Sequence, residues 1–236
     1  RYYDPLTGRF LNADVYADTQ SGTPLSTNMF AYCENNAINK SDDEGNDAWW
    51  IQSPNSANGK GHTSLLLKEK SGYWWYFYWG DRSVQLLFIG TSSLREITGK
   101  VRAQINYYNR NYSNKFGKLY YYEEYTRAIQ FSGHFENCIK EIKKYISNNQ
   151  YSYAFSGIGK RKVYVRFRYP SEKYKGKYRP YSHILTTNDS YSLGFNNCVQ
   201  KSIFYLKYGE LSSRNKAFHD ELNNFHVIPN NAIKKF

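Results

Sequence analysis

The chain has 236 residues, 40% of them hydrophobic and 19% aromatic, and a formal net charge of +12. That length supports one large domain or a medium domain with an appendage, with a sizeable core, and 25 tyrosines exclude a disordered composition despite a mean hydropathy of −0.77. Three widely separated cysteines exclude a disulfide framework and a metal knuckle, and no apolar run approaches the roughly 20 residues of a membrane span.

The charge is uneven. Residues 1–45 hold three basic and seven acidic residues, a net of −4, which leaves +16 for the remainder. Two modules of different origin are expected, the second with an anionic partner. The chain begins at Arg1 with no signal-peptide pattern and reads as part of something longer. RYYDPLTGRFLNAD carries a Gly-centred turn, Asp4-Pro5-Leu6-Thr7-Gly8, between aromatic flanks. NMFAYCENNAINKSDDEG follows, with Phe30 and Tyr32 alternating, an Asn-Asn turn and an Asp-rich close at Gly45.

RYYDP-x-x-GRF-x-x-x-D, N-x-F-x-Y-x-x-NN and D-x-x-G together resemble the C-terminal end of the RHS/YD-repeat core, the β-shell of polymorphic toxins. One departure is that Asp42 precedes Asp43 where the family usually has Asp-Pro. In some members aspartates near this end cut the chain. Here Asp4 and Asp42 read as turn-capping aspartates in preference to cutting residues. The resemblance implies that the cargo after the core is a toxin, usually enzymatic. It implies a chain secreted or displayed as part of a larger protein, acting inside or at the envelope of a target cell. Its own shell and an acidic immunity protein are the implied partners.

Residues 46–60, rich in Asn, Ser and Gly, are predicted to be a linker, with 61–236 as the toxin domain. Within it, His62–Leu67 and Tyr73–Trp79 are predicted strands around a turn at Lys68–Gly72, and Asp81–Gly90 holds a third. The aromatic run of the second lacks alternation, as expected when both faces are covered. Thr91–Tyr112 has a helical pattern around Leu94–Tyr107, and Lys118–Tyr125 reads as a strand. Phe135–Ser147 is the clearest helix, with Phe135, Cys138, Ile139, Ile142, Tyr145 and Ile146 on one face. That spacing places Cys138 in the core.

From Lys160 to Arg179 there are nine Lys or Arg against one acid, Glu172. Val163, Val165, Phe167 and Tyr169 alternate with Tyr164, Arg166 and Arg168, so a half-buried strand turns its arginines outward. Lys160, Arg161, Lys162, Arg166 and Arg168 are the candidate partner-binding residues. Interleaved tyrosines fit a nucleic-acid surface. The same pattern fits a solvated lid or a surface for an acidic inhibitor.

YSLGFNNCVQKSIFYLKYG, residues 191–209, reads as an extended entry into a helix. Asn197 is a good N-cap. Val199, Ile203 and Leu206 form an apolar face, and Gly209 is a plausible C′ stop. Cys198 then lies in the first turn, where free amides and the helix dipole favour a thiolate. A small buried hydrophobe is the competing reading. No histidine pair, H-E-x-x-H or Gly-rich phosphate loop appears, so no metal or cofactor is expected.

GHTSLLL, GYWWYFYWG and YSLGFNNCVQ in that order resemble the circularly permuted papain-like families, which include cell-wall amidases, peptidases and the lecithin-retinol acyltransferase type. SGHFENCIKEIKKYI resembles the helix before the nucleophile in toxin members. The resemblance implies an α+β domain, an antiparallel sheet packed on helices with the nucleophile at a helix N-terminus. It also implies Cys198 as nucleophile and His62 as base and later acid. Asn197 or Asn196, with the Cys198 amide, would hold the oxyanion. The third residue should follow the histidine strand. A turn near Lys70 and Ser71 sets His62 opposite Tyr78–Gly80, which makes Asp81 the nearest carboxylate. The substrate would be an amide or ester of cell-wall peptide, protein or lipid. A basic nuclease toxin and a non-enzymatic binding module are the alternatives, and nucleic acid is the less favoured partner.

Overall fold

A computed structural model describes residues 3–4, 9–10, 48–56, 59, 61–90, 96–120, 124–131, 133–149, 163–172, 174, 179–186, 191–192 and 196–211. The chain divides into two compact units, Arg1–Gly45 and Asn46–Phe236. In the first, β1 (Tyr3–Asp4) and β2 (Arg9–Phe10) pair antiparallel, with Tyr3 opposite Phe10 and Asp4 opposite Arg9. Cys33 and Asp42 lie outside the described residues.

The second unit is built on seven antiparallel strands. They are β3 (Ala48–Ser53), β4 (His62–Lys68), β5 (Trp74–Trp79), β6 (Val84–Gly90), β7 (Arg127–Phe131), β9 (Tyr164–Phe167) and β10 (Ser182–Leu185). Their order across the sheet is β7-β3-β4-β5-β6-β10-β9. Helices α1 (Ile97–Phe116), α2 (Glu136–Asn148) and α3 (Cys198–Leu206) complete the unit. A separate two-stranded pair joins β8 (Gly133–His134) to β11 (Glu210–Leu211).

Helices cover both faces of this sheet. Ile97, Val101, Ile105 and Tyr108 of α1 pack with Ile51, Leu66, Tyr76, Leu87, Val165, Phe167 and Ile184. Cys138, Ile139 and Ile142 of α2, with Cys198, Val199 and Ile203 of α3, pack with Trp50, Leu65, Leu67, Trp75, Phe77 and Leu86. Successive strand residues point to opposite faces, so both parities of a central strand are apolar. That explains why WWYFYW shows no alternation although it is a strand.

The α+β class stands, and the clearest predicted strands and helices are present. Three expectations need correction. Residues 46–60 are not simply a linker, because Ala48–Ser53 is β3, an inner strand between β7 and β4. Lys118–Tyr125 is no strand among its described residues, and the strand of that region is β7, at Arg127–Phe131. Gly209 is not a left-handed stop: α3 ends at Leu206, and the Gly209 amide donates to the Leu206 carbonyl at 2.9 Å. Gly209 is small because a Cβ there would stand 2.6 Å from the Phe135 ring. Among the described residues no helix is long and apolar enough to cross a membrane.

Candidate active site at the start of helix α3

Asn197 caps α3 by the expected chemistry. Its Oδ1 accepts from the Gln200 amide at 3.1 Å, and its own amide donates to Gln200 Oε1 at 3.2 Å, a reciprocal capping box. Cys198 is thereby the first residue of the helix. The entry is fastened by the Trp79 indole, which donates to the Asn196 carbonyl at 3.1 Å, and by an Asn196–Ser192 bridge.

The sulfur meets β4 at Thr63, whose amide donates to Cys198 Sγ at 3.5 Å. That amide points toward β5, but β4–β5 pairing covers only Leu65–Lys68. The sulfur therefore occupies the notch where β5 has stopped supplying carbonyl acceptors. Thr63 Oγ1 makes no hydrogen bond of full geometry, yet it lies close enough to favour the thiolate alongside the backbone amides.

The dyad itself is not assembled. His62 and Thr63 are neighbours on a strand, so their side chains take opposite faces. His62 follows Ser64 and Leu66 toward α1 and stacks on Tyr78 with ring centroids 4.6 Å apart, whereas Cys198 belongs to the core under α2 and α3. No hydrogen bond joins the two, and His62 Nε2 is buried without a partner. Burial holds the imidazole pKa down at about 3, so it is neutral at pH 7.

The expected thiolate is likewise absent from this arrangement. Burial raises the Cys198 pKa; the Thr63 amide and hydroxyl and the first-turn amides oppose it but do not win. A helix dipole acts on a thiol only as strongly as desolvation allows, and Cys198 is 1% exposed. Burial also raises Cys138, which sits in the α2 core as expected.

The remaining predicted positions fare differently. Asp81 does not orient the imidazole: its side chain is exposed beside Arg82, 3.9 Å away. Asn197 is committed to the cap through Oδ1, which removes that oxygen from substrate chemistry. Asn196 is half-buried, with its backbone in the bridge. Arg166 and Arg168 point outward, as their alternation predicts; Lys160, Arg161 and Lys162 lie outside the described residues, as do His219 and His226. The chain matches no family model, no curated protein and no solved structure.

Two residues at this site escaped the sequence reading. Thr63, the neighbour of His62, is the strand residue that touches the sulfur. Tyr191 senses both Cys198 and Asp81, and burial raises its hydroxyl pKa. For Thr63 the parity of β4 was an available signal. For Tyr191 there was none, since it lies seven residues before the cysteine in an irregular stretch.

Proposed function

We propose that residues 46–236 form the cargo of a polymorphic toxin, a Cys-His hydrolase or acyltransferase acting on an amide or ester bond, held here in a closed state. The observation that carries this reading is the orphaned His62 Nε2. A buried imidazole nitrogen without a protein partner calls for an explanation, and a catalytic role is one; Trp50 Nε1, Tyr108 Oη and Ser202 Oγ share that state without a titratable proton to offer near pH 7. It lies one residue from the amide that touches the Cys198 sulfur. The permuted papain-like resemblance adds the order of the two residues.

In this reading, substrate entry at the β4–β5 notch displaces the packing around Cys198 and frees the first residues of β4 from β3, so that His62 leaves Tyr78 and reaches the face that holds the sulfur. His62 Nε2 takes the thiol proton. The sulfur attacks the carbonyl carbon, and the proton passes to the leaving amine or alcohol. Water or an acceptor hydroxyl then releases the acyl group and restores the thiol. The helix-start amides, including that of Cys198, are the oxyanion donors. An acidic immunity protein remains the expected inhibitor.

The test is expression of the chain in a bacterial cell, followed by analysis of which bond is broken in its envelope and extract. Cys198→Ala and His62→Ala should each lower that cleavage by at least about 10³-fold, and the double variant should be no worse than either single one. Cleavage that survives Cys198→Ala ends the proposal.

A further inference from the structure

At the β10–β9 edge of the sheet, three cationic side chains, Arg166, Arg168 and Lys143, gather around a histidine. His183 on β10 pairs with Arg166 on β9 in the strand register. His183 Nδ1 bonds the Tyr164 hydroxyl at 2.7 Å, with the two rings stacked. From α2, Lys143 Nζ stands 3.8 Å above the Trp75 ring, whose centroid is 6.3 Å from that of His183. Burial first, then the nearby charges of Lys143 and Arg166, lower the His183 pKa to about 4, so its ring is neutral at pH 7. Arg166 and Arg168 place their guanidiniums 5.2 Å and 4.0 Å from the centroid of one ring, Tyr181.

This assembly is open, unlike the cysteine. Arg166 and Arg168 are exposed, and Lys143, Tyr164, Tyr181 and His183 are half-buried. Among the described residues no carboxylate pairs with either arginine. Glu69 is the carboxylate that reaches Lys143, and it is already held by the Trp75 indole at 3.0 Å and the Ser71 hydroxyl. Like charges held together in a folded protein repel, and a bound anion relieves them.

We propose that this shelf binds the phosphodiester backbone of a single-stranded nucleic acid. Arg166 and Arg168 both stand over Tyr181, and their positions two residues apart are about 6.6 Å along an extended backbone, a step comparable to that between successive phosphates of an extended polynucleotide. Guanidinium forks match phosphate oxygens in pairs, and Lys143 supplies a point charge. A phosphodiester offers two non-bridging oxygens, as a carboxylate does, and a polynucleotide backbone repeats that pair at a regular step for successive forks. The inference stands independently of Cys198 chemistry and assigns the basic strand to a phosphate ligand rather than to an acidic protein.

The experiment is fluorescence anisotropy of the full chain with a labelled ten-nucleotide single-stranded RNA, repeated with the matching DNA across a salt series. About three phosphate contacts give a slope of log affinity against log salt near −2. Arg166→Ala with Arg168→Ala should weaken binding about tenfold or more and bring the slope to about −0.7. Lys143→Ala should weaken it less, and millimolar inorganic phosphate should displace the strand. Lys118→Ala, beyond the end of α1, is the control and should leave affinity unchanged. The proposal is overturned if Lys118→Ala costs as much as the arginine pair, or if the pair keeps wild-type affinity. Equal competition by a polyglutamate peptide of matched charge also overturns it, as does a chain that binds inorganic phosphate but does not bind the oligonucleotide. Thermal melting of each variant confirms that these surface changes leave the fold intact.

Discussion

Two regions of one sheet differ in how far they bury their titratable groups. Around the start of β4, His62 and Cys198 are buried and both are driven toward neutrality. At the β10–β9 edge, two arginines are exposed and a lysine and a histidine are half-buried beside them. Both regions have aromatic floors, Tyr78 and Trp79 in the first, Trp75 and Tyr181 in the second. The difference is water. Where it is excluded, residue type alone does not set protonation, and a cysteine at a helix N-terminus stays a thiol. Where it is admitted in part, two arginines stand side by side in solvent, although burial still lowers the pKa values of Lys143 and His183 beside them.

The comparison can be broken most directly through Trp75, which is 1% exposed. It packs on Phe88 in the core and lies beneath Lys143 and beside His183 at the shelf. Trp75→Ala should cost about 3–5 kcal/mol, as large cavities in cores do. Chemical denaturation measures the cost. A loss below about 1 kcal/mol would mean that the shelf does not rest on the same core as the cysteine.

Acid sharpens it next. The folded pKa of His62, about 3, is below the unfolded value of 6.5, so the unfolded chain binds more protons between these limits. Stability is therefore intact above pH 6.5 and falls as pH drops toward 3. At about 1.36 kcal/mol per pKa unit, His62 alone should remove roughly 3 kcal/mol by pH 4. His183, lowered to about 4 chiefly by burial, is half-buried rather than fully enclosed and starts from a smaller shift, so it should contribute less. Denaturation at pH 7, 5.5 and 4 should show His62→Gln flattening the acid limb and His183→Gln changing it less. Equal flattening by both would erase the contrast between a dry and a wet histidine.

A smaller effect separates the two cysteines. Both are raised by burial, so both should resist iodoacetamide at pH 6. At pH 8, Cys198 should label several-fold faster than Cys138. It sits at a helix start over an unpaired strand end, which opens at lower cost than the middle of a packed helix. Mass spectrometry of timed digests reads the ratio, and faster labelling of Cys138 would contradict a notch that opens locally.

Much of this was legible in the sequence where local physics was strong. The apolar stripe of 135–147, the Asn197 cap and the alternation of 163–169 each follow from one period or one hydrogen bond. The hairpin turn at Glu69–Gly72 even set Tyr78 beside His62. What stayed hidden depends on long-range pairing. β3 carries AWWIQS in a Ser- and Asn-rich surrounding, and only its place between two other strands makes it one. His183 lies in β10, a four-residue strand with no clear signal of its own, which exists because β6 and β9 flank it. The separation of His62 from Cys198 follows from strand parity, which a residue list does not display.

The smallest effect decides what Asn197 does. If it is a cap, the carbonyl side of its amide is what matters, because Oδ1 accepts the Gln200 amide at 3.1 Å and satisfies a donor the helix cannot. Asn197→Ala should then cost about 1 kcal/mol, a fall in Tm of about 2–4 °C for a domain of this size. Asn197→Asp keeps the acceptor and adds a charge the helix start favours, so Tm should be restored. The same carboxylate lies next to Cys198 in the chain and would raise the thiol further, so alkylation at pH 8 should slow although stability returns. If Asn197 instead served the oxyanion through its NH₂ group, Asn197→Asp would abolish cleavage as fully as Asn197→Ala. Stability rescued by aspartate with cleavage retained within about tenfold identifies a cap; stability rescued with cleavage lost returns Asn197 to the reaction.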